Sequence, residues 1–511
     1  MTTSGRGRNR RVASDRILNR KTGAALVAVV LGVSASFLMG PVRAFATEPD
    51  VVIVLCDDLG YGDLGCYGHP VIKTPVLDAL AGEGLRMTQA YAASPVCSPS
   101  RAGLLTGIHP NRLGIFDWIP ETDGGRMPAE DRRDRVHLRR SAPTLGRTLR
   151  RGGYQTAVFG KWHLASRLGD ERQPTPRDFG FDDWLVTPNN AVPSHERPTN
   201  FRGPDGPIGG VDRYSSRFVA DTACEWIRDA APDRPLFLWV TFHEPHEPVA
   251  SEPALVRKFQ PLAVNGDQAE YFANVASVDA AVGRLVDGLR RHRDWGNTWF
   301  VFTSDNGPET LGRYRGADRS YGVTGGLTGR KLHTTEGGVR VPMIVRPPTG
   351  TGGQVGVADE PRRWRRGVSR EVVSALDLHP TLASIAGDAE VTETRLDGVD
   401  LSGFLAGGPM PERSRPLVWV YYNALNQRRV AMRWGRYKVL ATLPGVRRMA
   451  NLTAASKAEL SGVVPSEHRL YDLATDPGES NDLFGRIDES DALCRRLDRA
   501  YAELLADSPV W

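Results

Sequence analysis

Apolar runs without alternation punctuate the chain, and segments of helical period separate them. Val51–Cys56 (VVIVLC) is continuous and rich in β-branched residues, the pattern of a central strand buried on both faces. TPVLDALAGEGLRMTQAYA predicts an amphipathic helix and then a strand. Tyr154–Leu164 (YQTAVFGKWHL) predicts a strand and then a loop. Pro235–Phe242 (PLFLWVTF) and Thr298–Thr303 (TWFVFT) predict further buried strands, Ser277–Arg291 a helix, and VRVPMIVRPP another strand. VVSALDLHPTLASIAG predicts a helix carrying Leu376, Leu378, Leu382 and Ile385. This alternation implies an α/β fold with a large, mostly parallel central sheet flanked by helices. From about Leu401 the texture changes. LVWVYYNALNQRRVAMRWGRYKVLATL alternates, with a hairpin-like turn at WGRYK, and DALCRRLDRAYAELLA predicts a closing helix. The expected organisation is a larger domain over residues 47–400 and a C-terminal subdomain over 401–511, a small antiparallel sheet with a terminal helix. Arg112–Arg140 and Gly169–Arg217, rich in Gly, Pro and charge, are expected as long surface loops.

Residues 1–46 differ from the rest. They hold eight basic residues and one acidic residue, Asp15. From Gly23 to Gly40 no charge occurs, and AFA follows at Ala44–Ala46. A basic stretch, an apolar stretch and a small-x-small site make a secretory signal; an uncleaved N-terminal anchor is the other reading. Arg10 and Arg11, in NRRVAS, also admit twin-arginine export. Cleavage near Ala46 would leave an exported protein (secreted, periplasmic or cell-surface), with the export machinery as a partner. Without residues 1–46 the formal net charge falls from +5 to −2, so the basic balance is no argument for nucleic acid. No other segment is apolar over enough length to span a bilayer in the mature form. The 511 residues, 40% hydrophobic and 24% charged, suit a soluble enzyme of more than one domain. Five cysteines, an odd number without CxxC spacing, leave at least one thiol unpaired and argue against a zinc site. Cys56, in an apolar run, is expected in the core.

Polar groups gather where strands end, the edge at which open α/β sheets bind ligands. Asp57–Asp58 and Asp305–Asn306 each close a buried strand; crowded together they offer an all-oxygen site for Ca²⁺ or Mg²⁺. Lys161 and His163 (GKWH), His243 and His246 (FHEPHEP) and Lys331 (GRKLHTTEGG) lie after other strands or in a glycine-rich loop. With Arg101 they outline a pocket for a small tetrahedral anion. PVCSPSRAGLLTG reads as a loop entering a helix: Pro99 suits a first turn, and Ser98 and Ser100 can cap its free amides. Cys97 is then at a helix N-terminus beside a cation, a setting that stabilises anions.

CSPSR matches the C-x-P-x-R signature of the sulfatases, in the alkaline phosphatase-like superfamily. The chain resembles that family over nearly its whole mature length: CDDLGYGDLGCYG, CSPSRAGLLTG, FGKWHL, H-x-P at His246, TSDNGPE, K-x-x-x-x-E-G-G-x-R from Lys331 to Arg340, LDLHPTL and LYDLATDPGE. The resemblance implies that a formylglycine-generating enzyme oxidises Cys97 to Cα-formylglycine, whose hydrate attacks sulfur and later expels sulfate. It implies a calcium ion held by Asp57, Asp58, Asp305 and Asn306, with residue 97 completing the set. Arg101 would hold residue 97, and His163 would assist breakdown of the sulfated intermediate. Lys161, His246 and Lys331 would bind sulfate, and Asp305 would help deprotonate the hydrate. Lys161 and His246 both stand as proton donors to the leaving oxygen. Spacing favours His246 over His243, which is left structural or lining the substrate subsite.

The reaction implied is hydrolysis of a sulfate ester, with an exo-acting role on a sulfated carbohydrate as the expected substrate reading. Two other readings stand. One is a superfamily hydrolase of phosphonate or phosphate esters, the other a catalytically silent exported protein that binds sulfated glycans. The arginines of Arg112–Arg140 and of Arg313–Arg319 (RYRGADR) are either substrate contacts or solvated surface.

Overall fold

The computed structural model describes residues 48–121, 135–349, 364–388, 395–449 and 451–511. The expected leader, residues 1–46, and the middle of the Arg112–Arg140 segment lie outside these. A ten-stranded sheet is built from β1 (Asp50–Asp57), β2 (Leu85–Tyr91), β3 (Gln155–Lys161), β4 (Asp183–Thr187), β5 (Arg202–Gly203), β6 (Gly206–Pro207), β7 (Leu236–Pro245), β8 (Thr298–Ser304), β9 (Arg340–Arg346) and β10 (Gly367–Ser374). Their order is β10-β2-β9-β8-β1-β7-β3-β4-β5-β6. The run β8-β1-β7-β3-β4 is parallel throughout. β9 is antiparallel to both of its neighbours, and the short β5 and β6 close one edge in antiparallel fashion.

Every residue of β1 is buried, and the period-2 geometry of a strand divides them between two cores. Val51, Ile53 and Leu55 join Phe237 and Trp239 on one face, against Ala102, Leu104 and Leu105 of the helix Cys97–Thr106. Val52, Val54 and Cys56 join Leu238 and Val240 on the other, against Val278, Val282 and Leu285 of the helix Gly266–His292. Cys56 is a core residue, as its apolar setting implied. A second sheet, β11 (Leu417–Val420), β12 (Val430–Trp434), β13 (Tyr437–Thr442) and β14 (Ser466–Asp472), is antiparallel in that order. Its own alternation is two-sided as well. Val430, Met432, Val439 and Ala441 pack on Leu497, Tyr501 and Leu504 of the terminal helix Ser490–Asp507. Trp419, Ala431 and Leu440 face Tyr91 and Val339 of the larger sheet's surroundings.

Four expectations need correction. VVSALDLHPTLASIAG is not one helix: Val372–Ser374 end β10, a 3₁₀ turn comes next, and the helix is Leu378–Ile385. The β-branched pair and a Ser374–Asp377 capping box stop the helical pattern from reaching further back. The Gly169–Arg217 stretch is not all loop, because DWLVT within it forms β4. The helix around Ser277–Arg291 begins earlier, at Gly266, capped by the Asn265 side chain. Ser98 and Ser100 lie inside the helix Cys97–Thr106 and do not cap it; the cap position is Val96, and Ser98 Oγ accepts from Ile119 N–H at 3.0 Å. No helix among the described residues is long and apolar enough to cross a membrane.

β3 approaches β7 closely at Gly160, where φ is +110° and a Cβ would stand 1.8 Å from the Thr241 carbonyl oxygen. Both the dihedral and the contact exclude a side chain, so Gly160 sets where Lys161 emerges. Gly160→Ala is expected to cost roughly 3 kcal/mol or more of stability. A wild-type thermal midpoint for this variant would contradict the close approach.

Candidate active site

Because β8, β1, β7 and β3 are consecutive and parallel, their C-terminal ends share one edge. That edge carries Asp305, just after β8, Asp57, ending β1, His246, just after β7, and Lys161, ending β3. Asp58 turns away from β1 in a left-handed conformation (φ 61°), and its N–H donates to Asp305 Oδ1 at 3.2 Å. Asn306 Nδ2 donates to Asp58 Oδ1 at 2.7 Å. All four of these acidic and amide side chains are buried.

Three cations balance the three carboxylates. Arg101, fully buried one turn along the helix from Cys97, donates from Nε to Asp305 Oδ2 at 2.8 Å and from Nη1 to the Lys161 carbonyl at 2.9 Å. Its Nη2 is 3.8 Å from Asp57 Oδ2. Lys161 Nζ donates to Asp57 Oδ2 at 2.5 Å and to Asn190 Oδ1 at 2.9 Å. Lys331 Nζ donates to Asp58 Oδ2 at 2.8 Å and lies 3.9 Å from Glu309 Oε2. Cys97 Sγ sits 3.3 Å from Asp57 Oδ1. Asp57, Asp58, Cys97 and His246 present ligand atoms all within 4.8 Å of one another.

The two histidines of FHEPHEP diverge. His246 Nδ1 is 2.6 Å from the Glu247 carbonyl and so bears the proton, leaving Nε2 3.6 Å from Asp58 Oδ2. His243 Nε2 is 2.7 Å from Thr187 Oγ1, with its ring edge-on to Phe201. His163, at φ 57°, has Nε2 2.8 Å from the Ile119 carbonyl and a buried Nδ1 with no partner among the described residues.

Two neighbours of this cluster were not foreseen. Asn190 holds Lys161 and donates to the Glu247 carbonyl at 3.1 Å, and it comes just after β4, a strand hidden in a segment read as loop. Glu309 steadies Arg313 at 2.7 Å beside Lys331; TSDNGPE contains it, but nothing in one sequence marked the final residue as interacting.

The chain matches the family model described as Sulfatase over residues 49–388. It belongs to the sulfatase family. It is 33% identical over 471 residues to arylsulfatase A of Homo sapiens, a match covering 87% of this chain and 85% of that protein. To the N-acetylgalactosamine-6-sulfatase of Sus scrofa it is 32% identical over 418 residues, 76% of this chain and 71% of the other. In fold it is similar to the crystal structure of the PsFucS1 sulfatase from Pseudoalteromonas sp. (TM-score 0.68, 23% identity, 91% and 92% of the two chains). The alkaline phosphatase-like architecture expected from the motifs is thus present, and the protein is a hydrolase of sulfate esters.

The electrostatics of this sulfatase fit a divalent cation. Burial, then the Asp57 charge, pushes Asp305 up to about 7 against the pull of Arg101. Burial pushes Asp58 up to about 6 although Lys331 opposes it. Burial acts on Asp57 too, but Lys161, with Arg101 and Lys331, holds it well below the usual carboxylate range. Asn306 Oδ1 is buried with no hydrogen-bond partner among the described residues. Crowded carboxylates that resist ionisation, and an orphaned amide oxygen beside them, are what a hard cation relieves. Burial and Asp57 push the Cys97 thiol well up, so as an unmodified side chain it is a poor nucleophile. Burial, then Lys331, brings His246 down to about 3, which keeps its ring neutral.

The same carboxylates make the stability of metal-stripped protein depend on pH. Asp58 and Asp305 bind more protons folded than unfolded between about pH 4 and 7, so their contribution to stability falls as pH rises through that window. A divalent cation must displace those protons at low pH. Added Ca²⁺ is therefore expected to raise the thermal midpoint of chelator-treated protein more at pH 7.5 than at pH 5. An equal or smaller effect at pH 7.5 would count against cation binding here.

Proposed function

We propose that this sulfatase removes sulfate from a sulfated carbohydrate in exo fashion, with Cys97 matured to Cα-formylglycine by a formylglycine-generating enzyme. The observation that carries this reading is the buried, charge-balanced cluster of Asp57, Asp58 and Asp305 with Arg101, Lys161 and Lys331, set against a cysteine whose own thiol is poorly reactive. Asp57, Asp58, Asp305 and Asn306, with residue 97, would hold Ca²⁺, or Mg²⁺ in its place. The hydrated aldehyde would supply an oxygen nucleophile, and the cation would polarise the ester. A dication added to three balanced ion pairs leaves the site net positive, which suits a sulfate monoester anion.

Each side chain then has a task its position permits. Lys161 and Lys331 donate to sulfate oxygens, and His246 can join them only with a proton on Nε2. Arg101 anchors Asp305 and the end of β3 around residue 97, and His163 stands beside them. Asp305 would accept a proton at a carboxylate oxygen. Lys161 already bears N–H groups for the leaving oxygen. His246 would first have to bind a proton at Nε2, since its existing proton points at Glu247. His243 supports the site through Thr187.

For the substrate, one curated relative is named for a sulfated amino sugar. Of the RYRGADR arginines, Arg313 is held by Glu309, and Arg319 pairs with Asp267 at 3.1 Å. That leaves the exposed Arg315 free to meet an anionic sugar. Residues 1–46 are read as an export leader, by the twin-arginine route if replacing Arg10 and Arg11 with Lys stops export.

The deciding experiment is the mass of the peptide carrying residue 97, from the native host or beside a formylglycine-generating enzyme. A lighter, carbonyl-reactive peptide supports the reading. An encoded-mass cysteine with no sulfate release favours a silent glycan-binding protein instead. Cys97→Ala is expected to lower sulfate release by about 1,000-fold or more while leaving the thermal midpoint near wild type. Release from aryl sulfates alone, and from no sulfated mono- or oligosaccharide, would overturn the carbohydrate assignment.

A further inference from the structure

The motif LYDLATDPGE has no part in the chemistry above, yet it ends in a buried charge. Lys438 on β13 belongs to the face of the small sheet that otherwise presents Trp419, Ala431 and Leu440 to the larger one. A fully buried ammonium there needs a reason. Its Nζ lies 2.9 Å from Glu336 Oε1 and 3.2 Å from Glu479 Oε1. Glu479 closes the turn after β14, in a left-handed conformation (φ 55°), and its Oε2 accepts the Glu336 N–H at 2.7 Å. Glu336 Oε2 accepts from Tyr91 at 2.7 Å and pairs with Arg340 at 3.3 Å. From the same turn, the Gly478 carbonyl accepts from Thr328 Oγ1 at 2.5 Å.

These contacts grip both ends of the loop Thr328–Glu336, which carries Lys331. The turn just beyond Glu336 is equally tight. Gly337 N–H donates to the Thr328 carbonyl at 2.7 Å, and Gly307 N–H donates to the Gly338 carbonyl at 3.0 Å. A Cβ on Gly307 would stand 1.9 Å from the Gly337 carbonyl oxygen. The loop is therefore wedged against the residue next to Asn306.

We propose that Glu479 and Lys438 are positioning residues for sulfate binding: the C-terminal sheet and its LYDLATDPGE turn set the Thr328–Gly338 loop so that Lys331 reaches the anion. This rests on the reading of Lys331 as a sulfate-binding residue. The C-terminal segment is then part of the active site's framework and not only a cover for the larger sheet.

The test compares Lys331→Ala, Glu479→Ala, Glu479→Gln and the double variant K438M/E479Q in full-length, formylglycine-bearing protein. KM and kcat for 4-nitrophenyl sulfate, the inhibition constant of inorganic sulfate and the thermal midpoint are read. The double variant removes one buried charge of each sign, and Glu336 keeps Arg340 and Tyr91, so it is chosen to fold where Glu479→Ala does not. We expect the double variant, and Glu479→Ala if folded, to raise KM and the sulfate inhibition constant together by about tenfold with kcat within about threefold. Glu479→Gln alone, which retains an acceptor for the Glu336 N–H, should stay closer to wild type than Glu479→Ala or the double variant. A purely structural role would lower the midpoint and leave both constants of the folded enzyme unchanged, and that result overturns the proposal. If Lys331→Ala itself leaves both constants unchanged, the reading of Lys331 fails, and the proposal with it.

Discussion

Three carboxylates buried within a few ångströms of one another are the constraint on which the rest of the site depends. Asp57, Asp58 and Asp305 cannot all ionise in a dry pocket unless positive charge surrounds them. The protein brings that charge from separate parts of the chain: Arg101 from the helix after β2, Lys161 from the end of β3 and Lys331 from the loop before β9. Each cation takes a different carboxylate oxygen, so no one ion pair can be removed without leaving a charge uncompensated. The same arrangement explains why the cluster is suited to anion chemistry. Its internal charges cancel, and a cation held by the oxygen donors would tip the balance positive.

Such a balance tolerates little displacement, and the backbone around it is correspondingly tight. Asp58 and His163 take left-handed conformations, and Gly160 lets β3 approach the Thr241 carbonyl. On the far side, the Gly337–Gly338 turn nests against Gly307. The buried Glu336–Lys438–Glu479 group ties that turn to the antiparallel sheet. Charge placed on an apolar sheet face costs stability, and here it joins the smaller sheet to a loop beside the candidate site.

The strands around the site were legible because burial on both faces leaves a continuous apolar run, as in VVIVLC, PLFLWVTF and TWFVFT. The candidate site was legible for a related reason: short polar motifs stand at the ends of those runs, so Asp57, Asp58, Asp305, Asn306 and Lys161 could be named together. Less was legible where the apolar signal is brief or mixed. β4 is five residues inside a stretch rich in Gly and Pro, and Asn190 was lost with it. β10 is half exposed, so its end merged with the adjoining helix.

By itself the sequence determined the long buried strands and several of the helices, the edge at which polar groups collect and, through CSPSR and its companion motifs, the family. Those are local properties, written in period and in short spacing. Only the tertiary structure decided which of His243 and His246 faces Asp58, that Ser98 reaches Ile119 and does not cap its own helix, and that Glu479 grips the Lys331 loop. These depend on contacts between residues far apart in the chain, and a hydrogen bond such as Glu336 N–H to Glu479 spans 143 positions. No local pattern encodes such a pairing; it exists only once the two sheets have packed.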